Sequence, residues 1–134
     1  MFIPSPGAII ADRYALIEEI GRGGMGAVWK AEHKTLGAAC AIKFMHEVAH
    51  EASYRERFLR EARAAAQIQS PHVARVFDVD EWQGRPYIAM EFLEGETLDA
   101  RLDRVGALSP ELTCEIIDQM ARGLARAHAA RLIH

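Results

Sequence analysis

The sequence predicts an α+β fold, a five-stranded antiparallel sheet carrying one helix and followed by two more helices. Three observations predict it. Residues 13–45 read as three alternating runs joined by short turns that carry glycine. Residues 54–69 switch to a helical period. Ser109 followed by Pro110 opens the longest helical stretch. The chain has 134 residues, enough for one ordinary domain, and half of them are hydrophobic, enough for a packed core.

The elements follow in order. Residues 1–12 are expected to be an irregular lead-in, broken by Pro4, Pro6 and Gly7. "RYALIEEI" reads as a strand with Tyr14, Leu16 and Ile20 on one face and Glu18 as the exception. After the glycines, "AVWKAEHK" and "AACAIKFM" give two more strands around a turn near Gly37. In "YRERFLREARAAAQIQ", Phe58, Ala62, Ala65 and Gln69 recur at helical steps. Glu61 lies about 20° from Ile68 on the same wheel, at the edge of the apolar face, and is a candidate for a buried partner. Ser70 and Pro71 break this helix. "HVARVFDVD" and "RPYIAMEFL" form a hairpin around "WQG", and a short helix spans 97–105. Leu112, Ile116, Met120 and Leu124 recur every four residues in the last helix and are expected to form a buried stripe.

Composition excludes several classes. A net charge of -3 gives no basic field for non-specific nucleic-acid binding. No run is long enough to span a membrane, and "MFIPSPGAII" lacks the basic start of a secretory signal, so a cytoplasmic chain is expected. Cys40 and Cys114 are too few for a disulfide framework and read as small buried apolar residues. Six histidines form no metal-ligand pair on a shared helical face, and no metal is assigned to the chain's own side chains.

Gly21, Gly23, Gly24 and Gly26 crowd six residues. A dinucleotide fingerprint needs a helix after the glycines, but a strand follows. A Walker loop needs Lys-Ser or Lys-Thr after the last glycine, which is absent. A glycine hairpin over nucleotide phosphates remains, since small residues let backbone N–H groups approach phosphate oxygens. Gly26 and Val28 share one face of their strand, and Ala41 and Lys43 share one face of theirs. Val28 and Ala41 could cover a flat base while Lys43 reaches the phosphates.

These motifs, in this order, resemble the N-terminal half of a bacterial eukaryotic-like serine/threonine protein kinase. "GRGGMGAVWKA" resembles the family's G-x-G-x-x-G-x-V loop and "CAIK" its V-A-I-K strand, with Cys40 in place of valine. "RFLREARAAAQIQSPHV" resembles the family's αC helix and following turn. "YIAMEFLEGETL" resembles its fifth strand and hinge.

The resemblance implies an ATP-binding N-lobe over residues 13–93 and the first two helices of a C-lobe over 94–134. It implies that Lys43 holds the α and β phosphates of ATP and pairs with Glu61. It implies nucleotide contacts from Ile20, Gly21, Gly23, Gly24, Gly26, Val28 and Ala41, a gatekeeper at Met90, and hinge backbone at Glu91–Leu93. Ala65, Val76 and His134 match a stack of contacts between lobes. His134 matches the histidine of H-R-D, so the catalytic aspartate and the Mg²⁺ ligands are expected beyond the last residue. The implied activity is phosphoryl transfer from ATP to protein serine or threonine, with residues 1–134 inactive alone. The alternative is a non-catalytic module that binds nucleotide or a partner. With most of the C-lobe absent from residues 1–134, the stripe of Leu112, Ile116, Met120 and Leu124 is expected to lose its usual partners, and the apolar patch so exposed is expected to favour self-association.

Overall fold

The computed structural model describes residues 3–24, 26–45 and 52–133. Strands β1 (Ile9–Ile10), β2 (Tyr14–Gly23), β3 (Gly26–His33) and β4 (Ala38–Met45) precede helix α1 (Ala52–Ala66). Strands β5 (Val76–Trp82) and β6 (Arg85–Glu91) and helices α2 (Leu98–Val105) and α3 (Pro110–Ala129) follow.

The strands form one antiparallel sheet in the order β1-β2-β3-β4-β6-β5. The sheet therefore has six strands rather than the expected five. The extra one lies in the supposed irregular lead-in. Ile9 and Ile10 pair with Ala15 and Tyr14 across a turn whose central residues, Ala11 and Asp12, have φ of 49° and 58°. Such a turn usually carries glycine, so this one leaves no obvious mark in the sequence. The β5–β6 hairpin uses the same geometry at Gln83 and Gly84, where glycine does signal it.

Residues directly opposite on neighbouring antiparallel strands share a face. On one face Trp29 opposes Ile42, which opposes Ala89, and Ala27 opposes Phe44, which opposes Tyr87. These residues pack with Ile10, Tyr14 and Leu16 into the main core. The sheet curls around that core. Tyr14 on β2 meets Tyr87 on β6 edge-on, 6.1 Å between centroids, although β3 and β4 lie between their strands.

Two register shifts in β2, between Leu16 and Glu18 and between Glu19 and Gly21, interrupt the expected alternation. Tyr14 and Leu16 are buried, whereas Ile20 is 46% exposed.

Helix α1 packs against β5 and β6, and an Arg55–Glu81 ion pair ties it to β5. It ends at Ala66, short of the expected Gln69, so Ile68 is buried from a non-helical segment. Ala62 is the buried residue at the centre of its inner face.

The helical caps follow the sequence. Thr97 Oγ1 accepts from Ala100 N–H at 3.1 Å, and Ser109 Oγ accepts from Leu112 N–H at 3.2 Å, with Pro110 opening α3. The buried face of α3 differs from the expected stripe. Its buried residues are Gly123 and Ala127, while Met120 and Leu124 are 53% and 42% exposed. A Cβ on Gly123 would come within 2.7 Å of the His72 carbonyl oxygen. The helix approaches the α1–β5 loop backbone so closely that only small residues fit between them. Cys114, expected to be buried, is exposed, whereas Cys40 is buried and its thiol is pushed up to about 11 by that burial.

Candidate nucleotide site

The second face of the sheet carries the sequence's candidate residues. Val28 on β3 opposes Lys43 on β4, which opposes Ile88 on β6. Alongside, Lys30 opposes Ala41, which opposes Met90, which opposes Val76. Ala41 and Ile88 are buried, and Val28, Lys43 and Met90 are half-buried. Two short rows thus set an apolar surface of Val28, Ala41 and Met90 beside the Lys43 ammonium. Such a surface suits a flat heteroaromatic ring joined to an anion.

The glycines sit at the open end of this surface, and the structure separates their reasons. At Gly21, Gly23 and Gly24 an added Cβ would meet nothing within 4 Å. Packing inside the chain does not require glycine there, and the space above their backbone is open to a ligand. Gly26 is different. Its φ is 153°, and a Cβ would lie 1.8 Å from the Phe44 carbonyl oxygen. The close approach of β4 requires glycine at this position whether or not a phosphate binds. The hairpin closes with Gly23 opposite Gly26.

At the other end, β6 runs into the expected hinge. Glu91 is clasped to the segment before β5: its N–H donates to the Arg75 carbonyl at 2.9 Å, and its Oε1 accepts from Arg75 N–H at 2.8 Å. Beyond it Leu93 leaves the sheet and is 66% exposed. Sequence reasoning missed Lys30, whose Nζ stands 4.9 Å from the centre of the Phe92 ring. The signal was available, because Lys30 is two residues from Val28 and lies on its face.

The expected pairing of Lys43 with Glu61 is not present. Arg57 Nε lies 2.8 Å from Glu61 Oε1, one helical turn away. The Glu61 side chain is 42% exposed, not buried. Among the described residues Lys43 has no ion-pair partner. The physical reason is proximity. An i,i+4 pair needs only side-chain rotation, whereas reaching Lys43 requires α1 to approach β4. The helix is instead anchored over β5 through Arg55 and Glu81. Ala65 and Val76 are half-buried on α1 and β5, and His134 lies outside the described residues.

With this geometry in place, comparison with known proteins gives the family. The chain belongs to the protein kinase domain family, whose model matches residues 14–134. It is 41% identical over 122 residues to the serine/threonine-protein kinase PknH of Mycobacterium tuberculosis, covering 90% of this chain and 20% of PknH. It is 39% identical over 137 residues to PknA of the same organism, covering 98% of this chain and 32% of PknA. The crystal structure of the M. tuberculosis PknI kinase domain superposes with a TM-score of 0.86 at 29% identity, over 98% of this chain and 53% of that one. The chain thus spans a fifth to a third of the length of these curated relatives, and about half of the solved kinase domain. Members of this family generally use ATP and Mg²⁺. The open space above Gly21, Gly23 and Gly24, beside Lys43, fits the phosphates of such a nucleotide. Among the described residues no helix is long and apolar enough to cross a membrane.

Proposed function

We propose that this chain is the ATP-binding portion of a cytoplasmic serine/threonine protein kinase, which transfers the γ-phosphoryl group of ATP to protein hydroxyl groups. The observation that carries this reading is the cross-strand row of Val28 and Lys43, set beside Ala41 and below the open glycines. In it, Val28, Ala41 and Met90 cover the adenine, the backbone of Glu91–Leu93 meets its edge, and Ile20 closes the ribose side. Lys43 neutralises the α and β phosphates. Gly21, Gly23 and Gly24 admit the phosphate oxygens to backbone N–H groups. Residues 13–93 act as the nucleotide lobe, and 94–134 begin the helical lobe. Mg²⁺ arrives with the nucleotide and needs ligands other than the side chains assigned here.

Residues 1–134 taken alone bind nucleotide without transferring phosphate, since they supply no positioned general base, a group worth roughly 10²–10⁴ in rate. The second reading, a non-catalytic nucleotide- or partner-binding module, is favoured by one observation: Glu61 is held by Arg57 rather than by Lys43. ATP binding by the purified chain, with and without Mg²⁺, tests the site. Saturable binding that is lost in Lys43→Met supports it, and equal binding by wild type and variant rejects it. Phosphotransfer to a protein substrate above the Lys43→Met background would reject inactivity of the chain alone.

A further inference from the structure

Two lysines stand on the nucleotide face, in neighbouring cross-strand rows. Lys43 lies between Val28 and Ile88, and Lys30 opposes Ala41, which opposes Met90. Lys43 is taken up by the phosphates in the reading above, and Lys30 has no part in it. Lys30 does not follow its nearest opposite charge. Glu18 stands directly across from it on β2, and cross-strand partners of opposite charge lie close enough to pair. Among the described residues Lys30 forms no ion pair. Its Nζ lies instead 4.9 Å from the centre of the Phe92 ring, and both residues are half-buried. A cation partly withdrawn from water is held more firmly over a ring than one in open solvent.

Phe92 follows directly on β6, at the start of the hinge. Glu91, one residue earlier, is bonded to Arg75 through both its N–H and its carboxylate. Arg75 immediately precedes β5, and in the sheet order β5 and β3 lie on opposite sides of β6, with β4 between β3 and β6. The hinge is therefore gripped from two sides, at Glu91 by the Arg75 backbone and at Phe92 by the Lys30 ammonium. The grip ends at Leu93, which is 66% exposed. A segment already fixed in its binding geometry gives up less freedom when a ligand arrives, and binds it more tightly for that reason.

We propose that Lys30 is a positioning residue for the nucleobase: through the Phe92 ring it fixes the hinge backbone at 91–93 in the geometry that meets the adenine edge, and it takes no part in holding phosphate. This rests on the nucleotide reading above. The two lysines then divide the nucleotide, Lys43 acting directly on the phosphates and Lys30 acting on the base through the hinge. Arginine serves in place of Lys30, because a guanidinium also stacks on an aromatic face. Glutamine does not, because it carries no charge.

ATP, adenosine and inorganic tripolyphosphate, each titrated by calorimetry into the full chain and its variants, test this division. Lys30→Gln is expected to weaken adenosine and ATP by the same factor, about three- to tenfold, and to leave tripolyphosphate unchanged. Lys43→Met gives the opposite pattern, with tripolyphosphate weakened and adenosine retained. Lys30→Arg restores adenosine affinity. Phe92→Leu reproduces Lys30→Gln, and the two together lose no more than either alone, since each removes the same contact. Amide hydrogen exchange at 91–93, measured without ligand, speeds up in Lys30→Gln and returns to the wild-type rate in Lys30→Arg. Adenosine affinity unchanged in Lys30→Gln, or losses that add fully in the double variant, overturns the proposal. Tripolyphosphate weakened as much as adenosine makes Lys30 a phosphate ligand and overturns it too. Should Lys30→Gln fail to fold, Phe92→Leu carries the same comparison. A wild-type chain that binds none of the three ligands counts against the nucleotide reading alone. Hinge exchange then decides for Lys30: faster exchange in Lys30→Gln upholds the grip on Phe92, and an unchanged rate overturns it.

Discussion

Arg13 Nη1 lies 2.9 Å from Asp78 Oδ2 and joins the start of β2 to β5, two strands with three others between them in the sheet. Tyr14 O–H donates to the same carboxylate oxygen at 3.2 Å, and Arg13 Nη2 donates to the Tyr87 hydroxyl at 3.1 Å. This network closes the curled sheet over its core. Asp78→Ala leaves the Tyr14 phenol without its acceptor and leaves Arg13 with only the Tyr87 hydroxyl and the more distant Asp80 carboxylate at 3.4 Å. Because Arg13 is partly solvated, we expect a loss of about 1–2 kcal/mol, and less for Asp78→Asn. Urea unfolding measures it, and an unchanged midpoint would remove the network from any role in closure.

The same network sets a pH dependence. Burial, reinforced by the nearby Asp78 carboxylate, pushes Tyr87 up to about 12 and raises Tyr14 as well. An unfolded tyrosine ionises near 10. Above that value the unfolded chain releases protons that the native chain retains, so stability falls as pH rises from about 10 towards 12. Below about 10 these two residues contribute no slope. Phenolate absorbance near 295 nm during alkaline titration follows the event directly. In Tyr14→Phe/Tyr87→Phe this part of the alkaline loss disappears; an identical profile in wild type and variant would contradict it.

The glycines divide by their surroundings. Gly26→Ala drives a methyl group into the Phe44 carbonyl, and we expect a loss of about 3 kcal/mol. Gly24→Ala meets open space and leaves the unfolding midpoint nearly unchanged. Its effect falls on ATP affinity instead. Comparable destabilisation by the two substitutions would show that the hairpin geometry is misread.

We expect the exposed apolar residues on α3 to favour association of the isolated chain. Met120 and Leu124 are four residues apart and exposed on one side of the helix. We expect wild type to sediment as a concentration-dependent mixture, and Met120→Glu/Leu124→Glu to shift it towards monomer. A wild type that is monomeric at every concentration would dispose of this expectation.

Much of the fold was legible. The strands around Gly37 and the Ser109 cap stand where residue pattern alone puts them, because turns and caps are local chemistry. The candidate face was legible too, since a period of two places Ala41 beside Lys43 on any strand, in any fold. β1 was hidden because its turn uses alanine and aspartate in place of glycine. The end of α1 was overrun because Ile68 completes a helical pattern while lying outside the helix.

The sequence by itself determined the order of elements, the sites of turns and the pairing of an apolar strand surface with Lys43. Each follows from spacing along a backbone whose repeat is set by its own geometry. Tertiary structure alone decided that Arg13 closes the sheet on Asp78 and that α3 buries Gly123 instead of Met120. It also decided that Glu61 does not pair with Lys43, because α1 is held over β5 by Arg55 and Glu81. Those outcomes depend on distances between segments far apart in the chain, and on which of several possible partners comes within reach first.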